Sequence, residues 1–253
     1  MSLPHALAYA SACEVKGFVT IETIDYIEKA SFRYGLNQEF NVESMIQNNK
    51  PAIVYWLDNS LYLNITNQCS NHCWFCFRNY KQGVGNFNLK LAKEPQSDEV
   101  ISELKMAFSI KRWNEVVFCG FGEPTSKLDV LLEVTKWVRT NFPDVPIRLD
   151  TNGQAYTLNG NRDVAKELKA AGINKVSVSL NGHNQEIYNE NCKPMFIGAF
   201  EAVLEFIRIA KAKELNVEVS AIRMPEVDTL KVKEIAEGLG VSFRVRDYIP
   251  CFW

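Results

Sequence analysis

From residue 61 onward, short β-branched runs alternate with helix-period patterns, and this alternation limits what the chain can fold into more than any other feature. The predicted strands are Leu61 to Thr66, Glu115 to Cys119, Ile147 to Asp150, Lys175 to Leu180, Asn216 to Ile222 and Val241 to Val245. Five helical patterns separate them. Ser97 caps the first, with Asp98 and Glu99 in its first turn. The second starts at Ser126, which has capping-box spacing to Asp129, and places Leu128, Leu131, Leu132 and Val138 on one stripe. Asp163 to Ala171 and Phe196 to Ala212 are the third and fourth. Asp228 caps the fifth, whose inner face carries Val232, Ile235, Ala236 and Leu239 before Gly240 stops it. Strands joined by right-handed crossover helices pair in parallel, with the helices on one outer side of a curving sheet. The expected fold is α/β, a partial (β/α)6 TIM-like barrel with functional residues on the loops after the C-terminal strand ends.

The start of the chain reads differently. Ile21 to Phe32 and Val42 to Gln47 have amphipathic helical patterns, so residues 1–51 are expected to form a helical extension or cap and residues 52–253 the barrel domain. Ala52 to Leu57 and Leu61 to Thr66 form a predicted β-hairpin turned at Asp58-Asn59-Ser60. No chemistry-bearing motif lies in the extension.

With 47% hydrophobic and 23% charged residues, the chain can bury a sizeable core. A formal charge of -2 gives no global attraction to nucleic acid or to an anionic membrane, although it leaves a local basic groove open. There is neither an apolar run of roughly 18 residues nor the basic start and apolar stretch of a signal peptide. The expectation is a cytoplasmic protein with no membrane or nucleic-acid partner. Of seven cysteines, Cys69, Cys73 and Cys76 crowd together while Cys13, Cys119, Cys192 and Cys251 are scattered. An odd, clustered set points to metal or redox chemistry rather than to a disulfide framework.

Cys69-Ser70-Asn71-His72-Cys73-Trp74-Phe75-Cys76 has Cys-x3-Cys-x2-Cys spacing, which lets three thiolates wrap one face of a [4Fe–4S] cube and leaves one iron open. The rival reading is a zinc site with His72 as the fourth ligand. It fits poorly, because adjacent residues would have to reach one tetrahedral ion and no second ligand pair follows. The loop resembles the signature of the radical S-adenosylmethionine (SAM) superfamily, with Phe75 in the family's aromatic position before the last cysteine. The resemblance implies Cys69, Cys73 and Cys76 as iron ligands, SAM chelated at the open iron, Phe75 near the adenine, and reductive cleavage of SAM to a 5′-deoxyadenosyl radical.

Cys119-Gly120-Phe121-Gly122-Glu123-Pro124 stands where the family has Gly-Gly-Glu-Pro, with Phe121 replacing one glycine. By that likeness Gly120 and Gly122 permit close backbone approach, and Glu123 pairs with the amino group of SAM. Asp150-Thr151-Asn152-Gly153 resembles the segment that helps hold SAM in glycyl-radical activating members; its plain alternative is an Asn-Gly turn. Ser177, Ser179 and Asn181 share one strand face at a position that often contacts ribose or carboxylate in the family, and Ile222 either borders the adenine or is core. A narrower resemblance, over residues 53 to 248, is to the TatD-linked radical SAM subgroup. It rests on Leu61-Tyr62-Leu63-Asn64-Ile65-Thr66-Asn67, Phe77-Arg78-Asn79, Lys93-Glu94-Pro95, Asn191-Cys192-Lys193-Pro194 and Phe243-Arg244-Val245-Arg246. It implies functional association with a TatD-family hydrolase and an electron donor such as flavodoxin or ferredoxin, but no defined substrate.

On the substrate side, the segment from Phe77 to Pro95 reads as a lid, and Arg78, Arg223, Arg244 and Arg246 as cations for an anionic substrate, against the plain reading of solvated surface charge. Cys192 and Cys251 read as substrate-facing thiols, ligands of a second cluster, or inert, and the lack of a compact cysteine group around them favours the last. Three functions stay open: an enzyme acting on a small molecule or nucleoside, an activase working on a partner protein, and a non-catalytic Fe–S or zinc module.

Overall fold

The structure, a computed structural model, describes residues 50–248. The two helices expected before residue 50, together with Cys13 and Cys251, lie outside the described residues.

Strand β1 (Val54–Leu57) turns back on β2 (Ser60–Leu63) as an antiparallel hairpin. At the turn Asp58 takes φ 53°, a left-handed conformation that aspartate tolerates. A small ladder of β3 (Gly83–Val84) and β4 (Phe87–Asn88) follows within the segment leaving β2. The main sheet then continues in parallel from β2 through β5 (Glu115–Phe118), β6 (Ile147–Thr151), β7 (Lys175–Ser179), β8 (Asn216–Arg223) and β9 (Ser242–Asp247). Six parallel strands in sequence order, extended at one edge by β1, are the partial barrel that the alternation predicts.

Helices α1 (Ser97–Ile110), α2 (Leu128–Asn141), α3 (Ala155–Asn159), α4 (Val164–Ala171), α5 (Gln185–Cys192), α6 (Ala199–Ala212) and α7 (Thr229–Gly238) cover the outer face. Two starts differ from expectation. Gln96, not Ser97, caps α1: the Glu99 carboxylate accepts from its N–H at 2.8 Å, while the Ser97 hydroxyl donates to Glu133. Ser126 lies inside a 3-10 turn, Pro124–Lys127, and α2 starts after it, because Pro124 fixes φ and lacks an N–H at the position where that turn begins. Asp228 does cap α7, accepting from the N–H groups of Leu230 and Lys231. Helices α3 and α5 are additions that the hydrophobic pattern does not announce.

Alternation along each strand sorts the sheet into two faces. Leu61, Leu63, Val116, Phe118, Ile147, Leu149, Val176, Val178 and Val219 are all inaccessible and pack outward against Leu104, Leu131, Val134, Leu168, Phe206 and Ile207 in one core. The opposite face, which lines the lumen, is charged. Arg148 forks onto Glu115, with Nε 3.1 Å from Oε2 and Nη2 3.0 Å from Oε1, and its Nη1 reaches both oxygens of Asp150. Glu218 takes Lys175 at 2.8 Å on one oxygen and Arg244 Nε at 3.0 Å on the other.

Burial opposes ionisation of Glu115 and Glu218. The Arg148 fork on one, and Lys175 with Arg244 on the other, outweigh it and hold both carboxyls below the usual glutamate value. A depressed folded pKa means that the unfolded chain binds the extra proton as pH falls. Stability from these pairs is therefore complete above the ordinary glutamate range and is lost as pH drops through the lowered values. Urea midpoints measured across that window should fall with pH in the wild-type protein and fall less steeply in Glu115→Gln.

Candidate active site

All three motif loops lie at the same end of the sheet, since each follows the C-terminal end of a parallel strand: the cysteine loop after β2, Cys119 to Pro124 after β5, and Asn152 to Gln154 after β6. Asn64 sits at the base of this rim and is completely buried. Its side-chain amide donates to the carbonyls of Ala52 (2.9 Å) and Leu89 (2.8 Å), and its Oδ1 accepts from the N–H of Phe121 (2.8 Å). A Cβ on Gly120 would stand 2.7 Å from Asn64 Cα, and one on Gly122 would stand 2.3 Å from the Gln68 carbonyl oxygen. The two glycines thus let the loop after β5 press against the loop after β2. This close approach is between two parts of the protein backbone.

Glu123 lies in that seam at 3% exposure. Its Oε1 accepts from Thr125 N, Thr125 Oγ1 and Thr151 Oγ1 at 3.1, 2.7 and 2.7 Å, and its Oε2 accepts from the N–H of Asn152 at 2.7 Å. Burial pushes this carboxyl up, and the four hydrogen bonds only partly offset that. No Lys or Arg pairs with it among the described residues. Oε2 keeps acceptor capacity for one more donor.

The cysteine loop is tied down from two sides. Asn152 Nδ2 donates to Ser70 Oγ at 2.9 Å and lies 3.9 Å from Cys69 Sγ. Asn71 forms a β-bridge with Pro194 and accepts at Oδ1 from Gln154 Nε2, which also donates to the Tyr188 hydroxyl. The N–H groups of His72 and Trp74 donate to the carbonyls of Cys192 and Asn191, and Trp74 Nε1 donates to Asn191 Oδ1. Arg78 donates to the carbonyls of Asn67 and Asn71 and stands 5.5 Å over the Phe121 ring, so it braces the loop. Sequence reasoning gave no role to Ser70, Gln154 and Tyr188, and met Asn191 only as part of a family motif. Their signal, polar residues embedded in otherwise apolar or turn contexts, becomes readable only once α5 is placed beside the loop.

Cys69, Cys73 and Cys76 remain partly accessible, and Cys76 N donates to Cys73 O at 3.1 Å in a tight turn. His72 is exposed, and among the described residues no three His, Cys, Asp or Glu groups converge on one point as a single tetrahedral ion requires. The three thiols therefore sit on one partly accessible loop, without a fourth side-chain ligand beside them among the described residues. Burial pushes Cys69 up to about 12, with the Glu123 charge adding to it. Cys73 is pushed up first by a hydrogen bond with Cys192 and then by burial, so Cys192, expected to be inert, touches a predicted ligand. Thiols held this high lose their protons on meeting iron.

The remaining predicted residues divide between the two sides of the barrel. Asp150, Ser177 and Ser179 lie on the lumen face, and Ser179 Oγ accepts from Arg246 Nη2 at 3.2 Å. Asn181 joins two strand ends: its Oδ1 accepts from the N–H of Ile222 and its carbonyl from Asn191. Ile222 is partly buried against the core. Phe75 packs on the core edge-on to Trp74, which in turn meets Tyr248. Arg223 points away, two-thirds exposed and paired with Asp247. The segment from Phe77 to Pro95 is fastened rather than free, through Asn64, through the two-way Asn67–Leu91 pair, and through Glu94 on Thr66 and Lys127. Replacing Asn64 by Ala leaves buried carbonyls and an N–H without partners, and should cost about 3 kcal/mol in urea unfolding with an unchanged m-value.

Comparison with known proteins agrees with this geometry. The family description "Radical SAM superfamily" matches residues 63–237. A probable GTP 3′,8-cyclase of Methanocaldococcus jannaschii is 27% identical over 194 residues, covering 76% of this chain and 59% of that protein. A second, from Saccharolobus islandicus, is 30% identical over 189 residues, covering 72% and 54%. The chain thus spans little more than half the length of these curated relatives. Among solved structures, native anSMEcpe with bound AdoMet superposes with TM-score 0.57 at 19% identity over 74% of this chain and 50% of its own. Streptococcus suis SuiB bound to the precursor peptide SuiA gives 0.61 at 13% identity over 90% and 44%. Family, fold and cysteine loop agree: the chain is an enzyme of the radical SAM superfamily.

Proposed function

We propose that Cys69, Cys73 and Cys76 hold a [4Fe–4S] cluster and that the enzyme uses it with SAM to take a hydrogen atom from an anionic, nucleotide-like small molecule in the barrel lumen. When bound, cluster and SAM supply reductive cleavage of the sulfonium C–S bond and hence a 5′-deoxyadenosyl radical. The protein's own residues bind, orient and exclude water. Glu123 Oε2, buried and short of a cationic partner, offers an acceptor for the ammonium of SAM. Asn152, held between Ser70 and the Gln154 N–H, sets Cys69 relative to that carboxylate. Phe75, beside Trp74, offers the apolar edge for the adenine. Thr151, Ser177, Ser179 and Asn181 supply the hydroxyl and amide edge of the same rim.

The observation that carries the substrate class is the lumen charge. Among the described residues Arg148, Lys175 and Arg244 are matched by Glu115, Asp150 and Glu218, while Arg246, the fourth cation of this face, has a hydroxyl partner and no carboxylate. The nucleotide named for the cyclase relatives points the same way. Among the described residues no comparable feature favours a partner-protein activase, and family membership sets aside the non-catalytic module. We further place the chain in the TatD-linked subgroup, with a TatD-family hydrolase as functional associate and a flavodoxin or ferredoxin as electron donor. Asn64, Asn67, Glu94 and Asn191, all within that subgroup's motifs, build the rim. No helix among the described residues is long and apolar enough to cross a membrane. A cytoplasmic location suits thiols that must stay reduced.

Anaerobic reconstitution with iron and sulfide, followed by SAM and a strong reductant, should yield 5′-deoxyadenosine from the wild-type protein and only background from Cys76→Ala. Product at equal rates in both, or a preparation that binds zinc without sulfide, would overturn the proposal.

A further inference from the structure

Arg246 stands apart from the other lumen cations. Arg148 is matched by two carboxylates, and Lys175 and Arg244 share Glu218. Among the described residues Arg246 forms no ion pair. Its side chain reaches from β9 across β8 to Ser179 on β7, where Nη2 donates to the hydroxyl at 3.2 Å. Its Nε is shut off from solvent and donates to nothing. Asp150, the carboxylate that acts on it electrostatically, is already gripped by Arg148 through both oxygens. Desolvation pushes the Arg246 pKa down, as expected for a partly buried cation whose compensation is incomplete, and the group lies within electrostatic reach of Cys119 and Cys73.

A partly buried guanidinium whose Nε–H is shut off from solvent and idle is costly unless something pairs with it. Asp150, Cys119 and Ser179 surround it without supplying that partner. The planar fork suits a carboxylate or phosphoryl group, and its place between the cysteine loop and the Arg148–Asp150 pair is inside the lumen, where a substrate would meet the radical. We infer that Arg246 anchors an oxyanion of the substrate, bound beside SAM, and so selects substrates that carry a carboxylate or phosphate. This rests on the proposed radical SAM function and narrows it: Arg78 and Arg223 have partners elsewhere, and Arg244 is held by Glu218.

The test uses cluster-loaded protein with saturating SAM, titrated with inorganic phosphate or acetate against chloride at constant ionic strength. The thermal midpoint reports affinity, because a ligand that binds only the folded state raises it. Phosphate or acetate should stabilise the wild-type protein beyond chloride, and the better of the two identifies the oxyanion. Arg246→Met should weaken that affinity roughly tenfold or more, and Arg246→Lys, keeping the charge without the fork, should fall between. Arg208→Ala, which removes a cation from the outer surface of α6, should leave it unchanged. In the absence of probe, Arg246→Met should be at least as stable as wild type, since it removes a partly buried charge with an unpartnered Nε–H.

Equal oxyanion affinity in wild type, Arg246→Met and Arg246→Lys would overturn the inference, as would a loss of stability in unliganded Arg246→Met. So would an oxyanion response that disappears as SAM saturates, because the anchor would then serve the methionine carboxylate of SAM. The two levels fail separately. Absence of any SAM-induced change in the electron paramagnetic resonance of the reduced wild-type cluster defeats the proposed function. SAM binding without an Arg246-dependent oxyanion site defeats only this inference.

Discussion

The candidate site depends on a carboxylate that is buried without a cation. Glu123 accepts four hydrogen bonds at its carboxylate, from Thr125 and Thr151 and from the backbone of Asn152, while its own N–H donates to the Gln68 carbonyl. One residue therefore ties together the exits of β2, β5 and β6. Those donors make the burial tolerable, and the carboxyl still sits above its ordinary pKa because no positive charge is near enough to settle it. A seam of this kind is rigid, since moving any one loop strands a buried donor or acceptor on another. It is also electrostatically incomplete, and a cationic ligand at Oε2 would complete it.

Below that seam the sheet works as a divider. Its outer face is continuous hydrocarbon packed on helices, and its inner face carries ion pairs and hydroxyls in layers. A filled apolar lumen would leave no room for polar chemistry, whereas a lumen lined by charges must satisfy them internally or with a ligand. Arg148 solves the problem by bridging β5 and its own strand. Glu218 solves it by holding one cation from each neighbouring strand. The pairs on these two residues match the charges of Arg148, Lys175 and Arg244, which leaves Arg246, beside Ser179, as the cation of this face without a carboxylate among the described residues.

Much of this was legible in the sequence because strand alternation and cysteine spacing are local signals. Every parallel strand falls within a few residues of its expected place, and Cys69, Glu123 and Asn152 come together as the strand order requires. Alternation had also been applied to Ser177, Ser179 and Asn181; carried on to Arg148, Asp150, Glu218 and Ser220, it would have exposed the whole lumen face. Helix α5 was less accessible. Its sequence, Gln-Glu-Ile-Tyr-Asn-Glu-Asn-Cys, buries Tyr188, Asn191 and Cys192 for their polar contacts with the cysteine loop, and a hydrophobic-period search does not register such a face. Ser97 and Ser126 misled for a related reason. Each has a good capping side chain one or two residues away from where Gln96 and Pro124 set the turn.

The fastening of the segment from Phe77 to Pro95 bears on how the site is sealed. Basic residues, glycines and aromatics made it look like a lid, but lids are drawn from weakly held parts of a structure. Here Asn64 holds Leu89, Asn67 holds Leu91 through both its donor and its acceptor, and Glu94 takes Thr66, Asn67 N and Lys127. Opening it would break several of these bonds at once, at about 1–3 kcal/mol for each partner left buried. It is better understood as a strap that fixes the cysteine loop from the outside, as the Asn191–Pro194 turn fixes it from the inside. With the loop clamped between them, the position of the three thiols is set by the fold itself.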